Sequence, residues 1–326
     1  MISKTKYPVT EKEIAALFKK AGFSEISDIE PLGDGEYNAV FSVKADEKSY
    51  ALKIAPSPDC EVLAYEKGMM KSEIYWYEQI HSKTDINVPE VIFSDFSRDI
   101  IETDWFIMEK INGKSLSHCK LQKAEKEESE KAVIDMAAAM HNICGTEFGY
   151  PEGEKFSSWY EALKHIINNL IGDCEKKGFK CKNGERMLKA LEKHKEVFKS
   201  AECNMVNFDL HTGNIIYDPE SKEKYCLIDL ERGLWGDRII EFVNLDFINP
   251  IEKKTKILEY YNSVADKKII VDKSIKLRYA MGQALLGLIM ETEKYYRYTR
   301  LNFGWWRNIG ACVFLFKSAF GVLENE

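Results

Sequence analysis

None of the eight cysteines in this 326-residue chain belongs to a C-x-x-C pair. That lack excludes the common zinc-ribbon and dithiol redox patterns. The cysteines are scattered through apolar and amphipathic runs, so reduced, largely buried thiols are expected rather than a disulfide framework. Long hydrophobic runs are also missing. Gln283 and Lys317 interrupt the most apolar C-terminal stretches, and no segment reaches the ~18 consecutive apolar residues of a membrane span. The opening residues, Met1-Ile2-Ser3-Lys4-Thr5-Lys6-Tyr7-Pro8, contain no apolar signal core. A basic excess is absent too: 46 Lys+Arg stand against 53 Asp+Glu, a net charge of −7. A nucleic-acid grip needs a basic face to neutralise phosphates, so nucleic acid is not expected as a partner. There is no internal repeat and no low-complexity segment. The expectation is a cytoplasmic protein with no membrane partner, monomeric or weakly homodimeric.

Hydrophobic residues make up 45% of the chain and charged residues 30%, enough apolar side chain for a sizeable core. At ~150 residues per domain the length suggests two domains or one large two-lobed unit. Thr10 and Glu13 form a capping-box pattern ahead of a helix reaching about Lys20. Strand-like runs follow at Ile26–Leu32, Ala39–Val43 and Tyr50–Ile54, then a helical stretch from Cys60 to His81. Val88–Phe93 and Trp105–Ile111 return to strand. Beyond Gly113 amphipathic helices dominate: 124–142, 158–176, 184–199, 251–264, 273–298 and 305–323. A β-like insert, Met205–Leu230, interrupts them. The pattern predicts an α+β fold of two lobes, a small antiparallel sheet in 1–112 and a larger helical lobe in 113–326.

The chemistry concentrates in that insert. Asn207-Phe208-Asp209-Leu210-His211-Thr212-Gly213-Asn214-Ile215-Ile216 is followed by Cys226-Leu227-Ile228-Asp229-Leu230-Glu231. An Asp, an Asn five residues later, and a second Asp ending an apolar strand form the layout that phosphoryl transfer requires. One carboxylate faces the attacking hydroxyl, while an amide oxygen and another carboxylate hold a magnesium ion that needs few protein ligands. Gly213 lets the loop turn tightly enough to bring Asp209 and Asn214 together. On its own the spacing also suits a solvated turn.

The segment resembles the H-G-D-L-H-P-G-N-I-L loop and I-D-W-E strand of the aminoglycoside phosphotransferase/choline kinase-like family, which shares the protein-kinase fold. The resemblance implies that Asp209 is the catalytic aspartate and that Asn214 and Asp229 are magnesium ligands. It covers about Ile26 to Glu241. Asn207-Phe208 replaces the family's His-Gly, and Asn can replace one of the lost histidine hydrogen bonds. Earlier in the chain, Gly33-Asp34-Gly35-Glu36-Tyr37-Asn38 resembles the family's nucleotide loop, with Gly33, Gly35 and Asn38 as its candidate residues. Lys53 stands in the apolar run Tyr50–Ile54, where a buried ammonium needs anionic partners. The resemblance supplies nucleotide phosphates and a helix glutamate, for which Glu73, twenty residues on, is the candidate. A lysine on an edge strand, turned to solvent, is the competing reading. Asp104–Gly113 resembles the hinge, with Met108 behind the base and the backbone near Glu109 and Ile111 bonding to it.

Residues 1–112 are thereby read as the nucleotide-binding lobe and 113–326 as the catalytic and acceptor lobe. ATP, with GTP as the alternative, and Mg²⁺ are the implied cofactors. The acceptor is a small-molecule hydroxyl compound. Asp237 and Glu241, in a segment resembling G-D-P-x-x-D-L with Arg238 for the proline, are candidate acceptor ligands together with Glu291 and Trp305. Carboxylates near Asp209 would favour a cationic acceptor such as an aminoglycoside; choline-type and sugar acceptors are the alternatives, and a catalytically dead, nucleotide-binding kinase-like protein is the rival from another class.

Overall fold

The computed structural model describes residues 5–33, 37–247 and 249–326. Gly35 lies outside them. The chain divides into two compact units, and neither is a single stretch. The first comprises Met1–Glu61, Asn87–Lys114 and Ile216–Ile228; the second comprises Val62–Ile86, Ser115–Ile215 and Asp229–Glu326. The chain thus passes from unit to unit at several places, one of them after Lys114.

The first unit opens with α1 (Glu11–Lys20). Its cap is reciprocal: Thr10 Oγ1 accepts the Glu13 N–H at 3.3 Å while Glu13 Oε2 accepts the Thr10 N–H at 2.7 Å. Five strands follow, β1 (Ile26–Pro31), β2 (Ala39–Ala45), β3 (Lys48–Ile54), β4 (Val91–Asp95) and β5 (Trp105–Glu109). They form an antiparallel sheet in the order β1-β2-β3-β5-β4. Ile14, Leu17 and Phe18 of α1 pack on Val43, Leu52, Trp105 and Ile107, so period-3.6 and period-2 apolar patterns meet in one core.

Residues 114–115 form β6 (Lys114–Ser115), which joins β8 (Ile215–Tyr217) and β9 (Tyr225–Leu227) in a three-stranded sheet. In the first unit Gly113 has φ +116°, and a Cβ there would lie 2.5 Å from the Tyr217 carbonyl oxygen. Only glycine fits that bend.

The second unit is mainly helical: α2 (Met69–Lys83), α3 (Lys123–His141), α4 (Trp159–Lys176), α5 (Lys182–Lys193), α6 (Lys195–Lys199), α7 (Phe242–Leu245), α8 (Thr255–Val264), α9 (Lys273–Arg297) and α10 (Phe303–Leu323). β7 (Asn204–Val206) pairs antiparallel with β10 (Leu234–Gly236). α9 is capped by Asp272, whose Oδ1 accepts the Ile275 N–H at 2.8 Å, and it buries Leu277, Met281, Leu285, Leu288 and Ile289. No helix among the described residues is long and apolar enough to cross a membrane, and all eight cysteines are free thiols.

Two predicted helices change shape. The stretch from Cys60 becomes regular helix only at Met69. A local cap and a distant partner take amides there: Leu63 N–H goes to Glu66 Oε2 at 2.8 Å, capping a short 3-10 turn, and Ala64 N–H goes to Asp173 Oδ2 at 2.7 Å. Gly68, at φ +77°, then sets the direction of α2. The predicted 184–199 helix breaks at His194, where φ falls to −111°, and becomes α5 and α6.

Candidate active site

β7, paired antiparallel with β10, anchors the start of the loop that follows it. The loop 207–214 leaves β7 and closes in a short 3-10 turn, Thr212–Asn214, that leads into β8. Phe208 takes φ +53°, a left-handed conformation rare for a bulky residue. Such a conformation persists only where surrounding bonds impose it. Here Glu241 does so: its Oε2 accepts the amides of Asn207 at 2.7 Å and Phe208 at 3.4 Å. Burial pushes the Glu241 carboxyl up to about 7, although these amide bonds pull the other way.

Asp209 and Asn214 meet as their spacing predicts. Asn214 Nδ2 donates to the Asp209 carbonyl at 3.1 Å and to Asp209 Oδ2 at 3.2 Å. The Asp209 side chain keeps a quarter of its surface exposed. A Cβ at Gly213 would lie 2.5 Å from His211 Cε1, so the glycine lets the His211 ring fold back over the turn. His211 Nδ1 accepts the Gly213 N–H at 2.9 Å, and its Nε2 lies 3.7 Å from Asp209 Oδ1. This histidine shapes the loop.

Asn207 corrects one expectation. Its buried Nδ2 and Oδ1 have no hydrogen-bond partner among the described residues, so its side chain inherits nothing from the family histidine. The loop is secured through its main chain instead.

Asp229 stands just after β9 at φ +62°. Its N–H donates to Tyr77 Oη at 3.0 Å, and that hydroxyl donates to Glu73 Oε1 at 3.1 Å. Glu73, Asp229 and Glu231 offer carboxylate oxygens within 4.8 Å of one another. This all-oxygen donor set fits a hard divalent cation. Glu231 was not singled out in the sequence, although it follows Asp229 in the same short motif.

A largely buried ion-pair chain, with no local signature in the sequence, runs from Asp209 to α9. Arg232 Nε lies 3.9 Å from Asp209 Oδ2, and its Nη2 donates to Glu293 Oε1 at 2.6 Å. Glu293 also accepts from Tyr65 Oη at 2.9 Å and pairs with Arg297 at 3.4 Å, while Arg297 pairs with Glu66. Burial alone would raise the Glu293 carboxyl; Arg232 and Arg297 outweigh it and hold it below the usual range. Glu66 is raised, because burial outweighs its one arginine.

In the first unit Lys53 sits on β3, between β2 and β5, opposite Val40 and Phe106. It is only 5% exposed. β3 is a central strand, so the edge-strand, solvent-facing reading of Lys53 fails. Asn38 and Met108 are buried, Glu109 is exposed on β5 with its N–H bonded to the Glu90 carbonyl, and Ile111 is half-buried. Gly33 takes φ +74°.

The sequence profile described as "Phosphotransferase enzyme family" matches residues 28–262. The chain belongs to the phosphotransferase enzyme family. No curated protein matches it. Among solved structures, a Ralstonia eutropha JMP134 protein provisionally assigned as an aminoglycoside phosphotransferase shares the fold at 14% identity and TM-score 0.66, over 96% of this chain and 98% of that one. A provisionally assigned fructosamine-3-kinase from Haemophilus somnus 129PT does so at 16% and 0.67, over 95% and 97%. A thermostable mutant of aminoglycoside phosphotransferase APH(4)-Ia gives 16% and 0.62, over 97% and 98%. The phosphotransferase family's bilobal, kinase-like α+β architecture is thus the architecture of this chain.

The expected acceptor ligands of this phosphotransferase occupy other positions. Asp237 is buried, caps the turn Arg238–Glu241 through the Ile239 N–H at 3.2 Å, and lies 3.1 Å from Arg278 Nε. Glu241 is fully buried beneath the loop. Glu291 accepts the Asn183 side-chain amide at 3.0 Å, and Trp305 is buried edge-on to Tyr295. Asp237, Glu241 and Trp305 are buried and committed to packing or to a neighbour, while Glu291 is half-buried.

Proposed function

We propose that this phosphotransferase moves the γ-phosphoryl group of ATP to a hydroxyl of a small molecule. The observation that carries the reading is Asp209, partly exposed and held by Asn214 on a loop whose backbone Glu241 fixes. As the acceptor oxygen bonds to phosphorus and the bond to the leaving phosphate breaks, the hydroxyl proton passes to the Asp209 carboxylate. Arg232, whose Nε lies 3.9 Å from the same carboxylate, keeps it aimed. Lys53 is the residue assigned to the nucleotide phosphates. Asp229 and the Asn214 side-chain oxygen would hold Mg²⁺, with Glu231 as a further oxygen donor. Bound there, the ion would neutralise charge on the phosphates. The protein's own contribution is preorganisation of a few groups.

A cationic acceptor such as an aminoglycoside was expected from carboxylates near Asp209. Glu293, joined to Asp209 through Arg232, is paired with Arg232 and Arg297 and so gives a polyamine little purchase. Eight free thiols support a reducing, cytoplasmic setting.

The test is Mg²⁺-dependent ATP turnover across a panel of hydroxyl compounds. Asp209→Asn is expected to lower kcat by at least 10²-fold with little change in the KM for ATP, an order set by general-base catalysis. Turnover indifferent to Asp209→Asn would overturn the reading.

A further inference from the structure

A groove of about 1000 Å³ lies beside the catalytic loop, walled by the N-terminal half of α3, by Leu210, His211 and Thr212, and by the segment running from α7 into α8. None of the roles assigned above uses it. Its walls carry six lysines, Lys123, Lys126, Lys131, Lys253, Lys254 and Lys256. Only three carboxylates line it, Glu127, Glu130 and Asp246, and each is paired to one of those lysines: Lys123 with Glu127 at 4.0 Å, Lys126 with Glu130 at 4.0 Å, and Lys254 with Asp246 at 3.6 Å. Lys131 lies 5.6 Å from the Tyr260 ring centroid, and Lys253 and Lys256 have no carboxylate partner among the described residues. A chain with a net charge of −7 therefore carries a locally positive groove.

Two further features of the wall suit an oxyanion. Asn244 Nδ2 is a buried donor with no acceptor among the described residues. Such a donor costs stability unless a ligand or water satisfies it. The first turn of α8 has no side-chain cap, so its free amides add to the positive potential of Lys253, Lys254 and Lys256. His211 joins the groove to the chemistry, because it forms part of the wall and its Nε2 stands 3.7 Å from Asp209 Oδ1.

We propose that this groove binds an oxyanion, phosphate or carboxylate, carried by the acceptor, so that the acceptor class is an anionic hydroxyl compound. The inference rests on the phosphoryl-transfer reading and deepens it. The acceptor's charged group lies against the exposed Lys253 and Lys256 and the Asn244 amide, while Lys254 is buried against Asp246, and the acceptor's hydroxyl is presented to Asp209. Attraction across so exposed a groove is screened by salt, so the KM for the acceptor rises with ionic strength.

Two measurements test it. In the first, alcohols are compared in matched sets, neutral, phosphorylated, carboxylated and polyamine, as substrates of the wild type and of the double variant Lys253→Glu/Lys256→Glu, with Lys253→Gln/Lys256→Gln as a milder pair. Turnover is expected to favour the phosphorylated or the carboxylated set, and which one wins identifies the anion. The charge reversal is expected to raise the acceptor KM at least tenfold, leaving kcat and the KM for ATP within about twofold. Preference for polyamine or neutral alcohols, or a KM untouched by both pairs, would overturn the inference while Asp209-dependent turnover left the enzyme reading intact. In the second, the same compounds are tested for thermal stabilisation of the protein saturated with Mg²⁺ and ADP, which needs no turnover. Stabilisation by anionic members that the charge reversal removes supports the groove. The absence of stabilisation by any anionic member, or stabilisation that persists in the variant, rejects it. Loss of Asp209 dependence in the first measurement would bear on the enzyme reading alone.

Discussion

Glu241 Oε2 accepts the main-chain N–H of Asn207 at 2.7 Å from a position 34 residues further along the chain. A buried carboxylate from beyond β10 thus fixes the backbone two residues before Asp209. Replacing it with alanine strands two amides in the interior, at about 1–3 kcal/mol each. Glu241→Ala is expected to lower the urea midpoint and to cut kcat more than tenfold, since Phe208 loses the bond that holds its left-handed conformation. Glu241→Gln, which keeps an acceptor oxygen, is expected to retain most activity. Equal damage from both variants would contradict this role.

The same residue and His141 should tilt pH stability in opposite directions. Glu241 is held near 7 by burial, so the native state keeps its proton between the unfolded value near 4.5 and pH 7, and that contribution is lost as pH rises through 7. His141 is pulled down to about 3 by burial and then by Arg238. The unfolded chain binds that histidine's proton below about 6.5 while the native state refuses it, so stability falls as pH drops from 6.5 toward 3. Each slope is at most roughly 1.4 kcal/mol per pH unit. Urea unfolding of His141→Gln and Glu241→Gln at pH 4.5, 5.5 and 7 should separate the two. Curves parallel to the wild type would refute both assignments.

Arg232 is expected to couple stability to catalysis. Arg232→Ala leaves Glu293 buried with Tyr65 and Arg297 as its remaining partners, and breaking a buried pair costs about 3–5 kcal/mol. Arg232→Lys restores charge but not the fork that spans Asp209 and Glu293. It should therefore recover stability more than kcat. Steady-state kinetics beside thermal melts of the two variants reads this split; a lysine variant fully active would exclude it.

Tyr77 offers the smallest possible edit of the carboxylate cluster. Tyr77→Phe removes one oxygen, the one bonded to both the Asp229 N–H and Glu73. A stability loss of about 1–2 kcal/mol is expected, with a several-fold rise in the Mg²⁺ concentration for half-maximal turnover. An unchanged magnesium requirement would separate Tyr77 from the ion's site.

The site was legible where neighbours in sequence are neighbours in space. Asp209 and Asn214 are five residues apart, and a single turn with Gly213 at its close approach brings them together. The five-stranded sheet was similarly readable, because alternation marks each strand locally. Arg232, Glu293 and Tyr65 were not, since each gains its meaning from partners dozens to hundreds of residues away. Glu241 and Asp237 were legible only as carboxylates near a catalytic motif, which suggests a ligand contact; nothing local reveals that their oxygens accept buried backbone amides. The segment before α2 failed as a helix for the same reason, its amides being claimed by Asp173 and by the buried Glu66.

The chain passes between its two compact units five times, after residues 61, 86, 114, 215 and 228. No single scission can therefore release either unit whole. A fragment ending at residue 112 would carry α2 away from Asp229 and leave the strand segment 216–228 behind, so neither piece would hold a complete core. Domain dissection at the hinge should yield two aggregation-prone halves, and circular permutation with an opening in an exposed loop is the cut this topology tolerates.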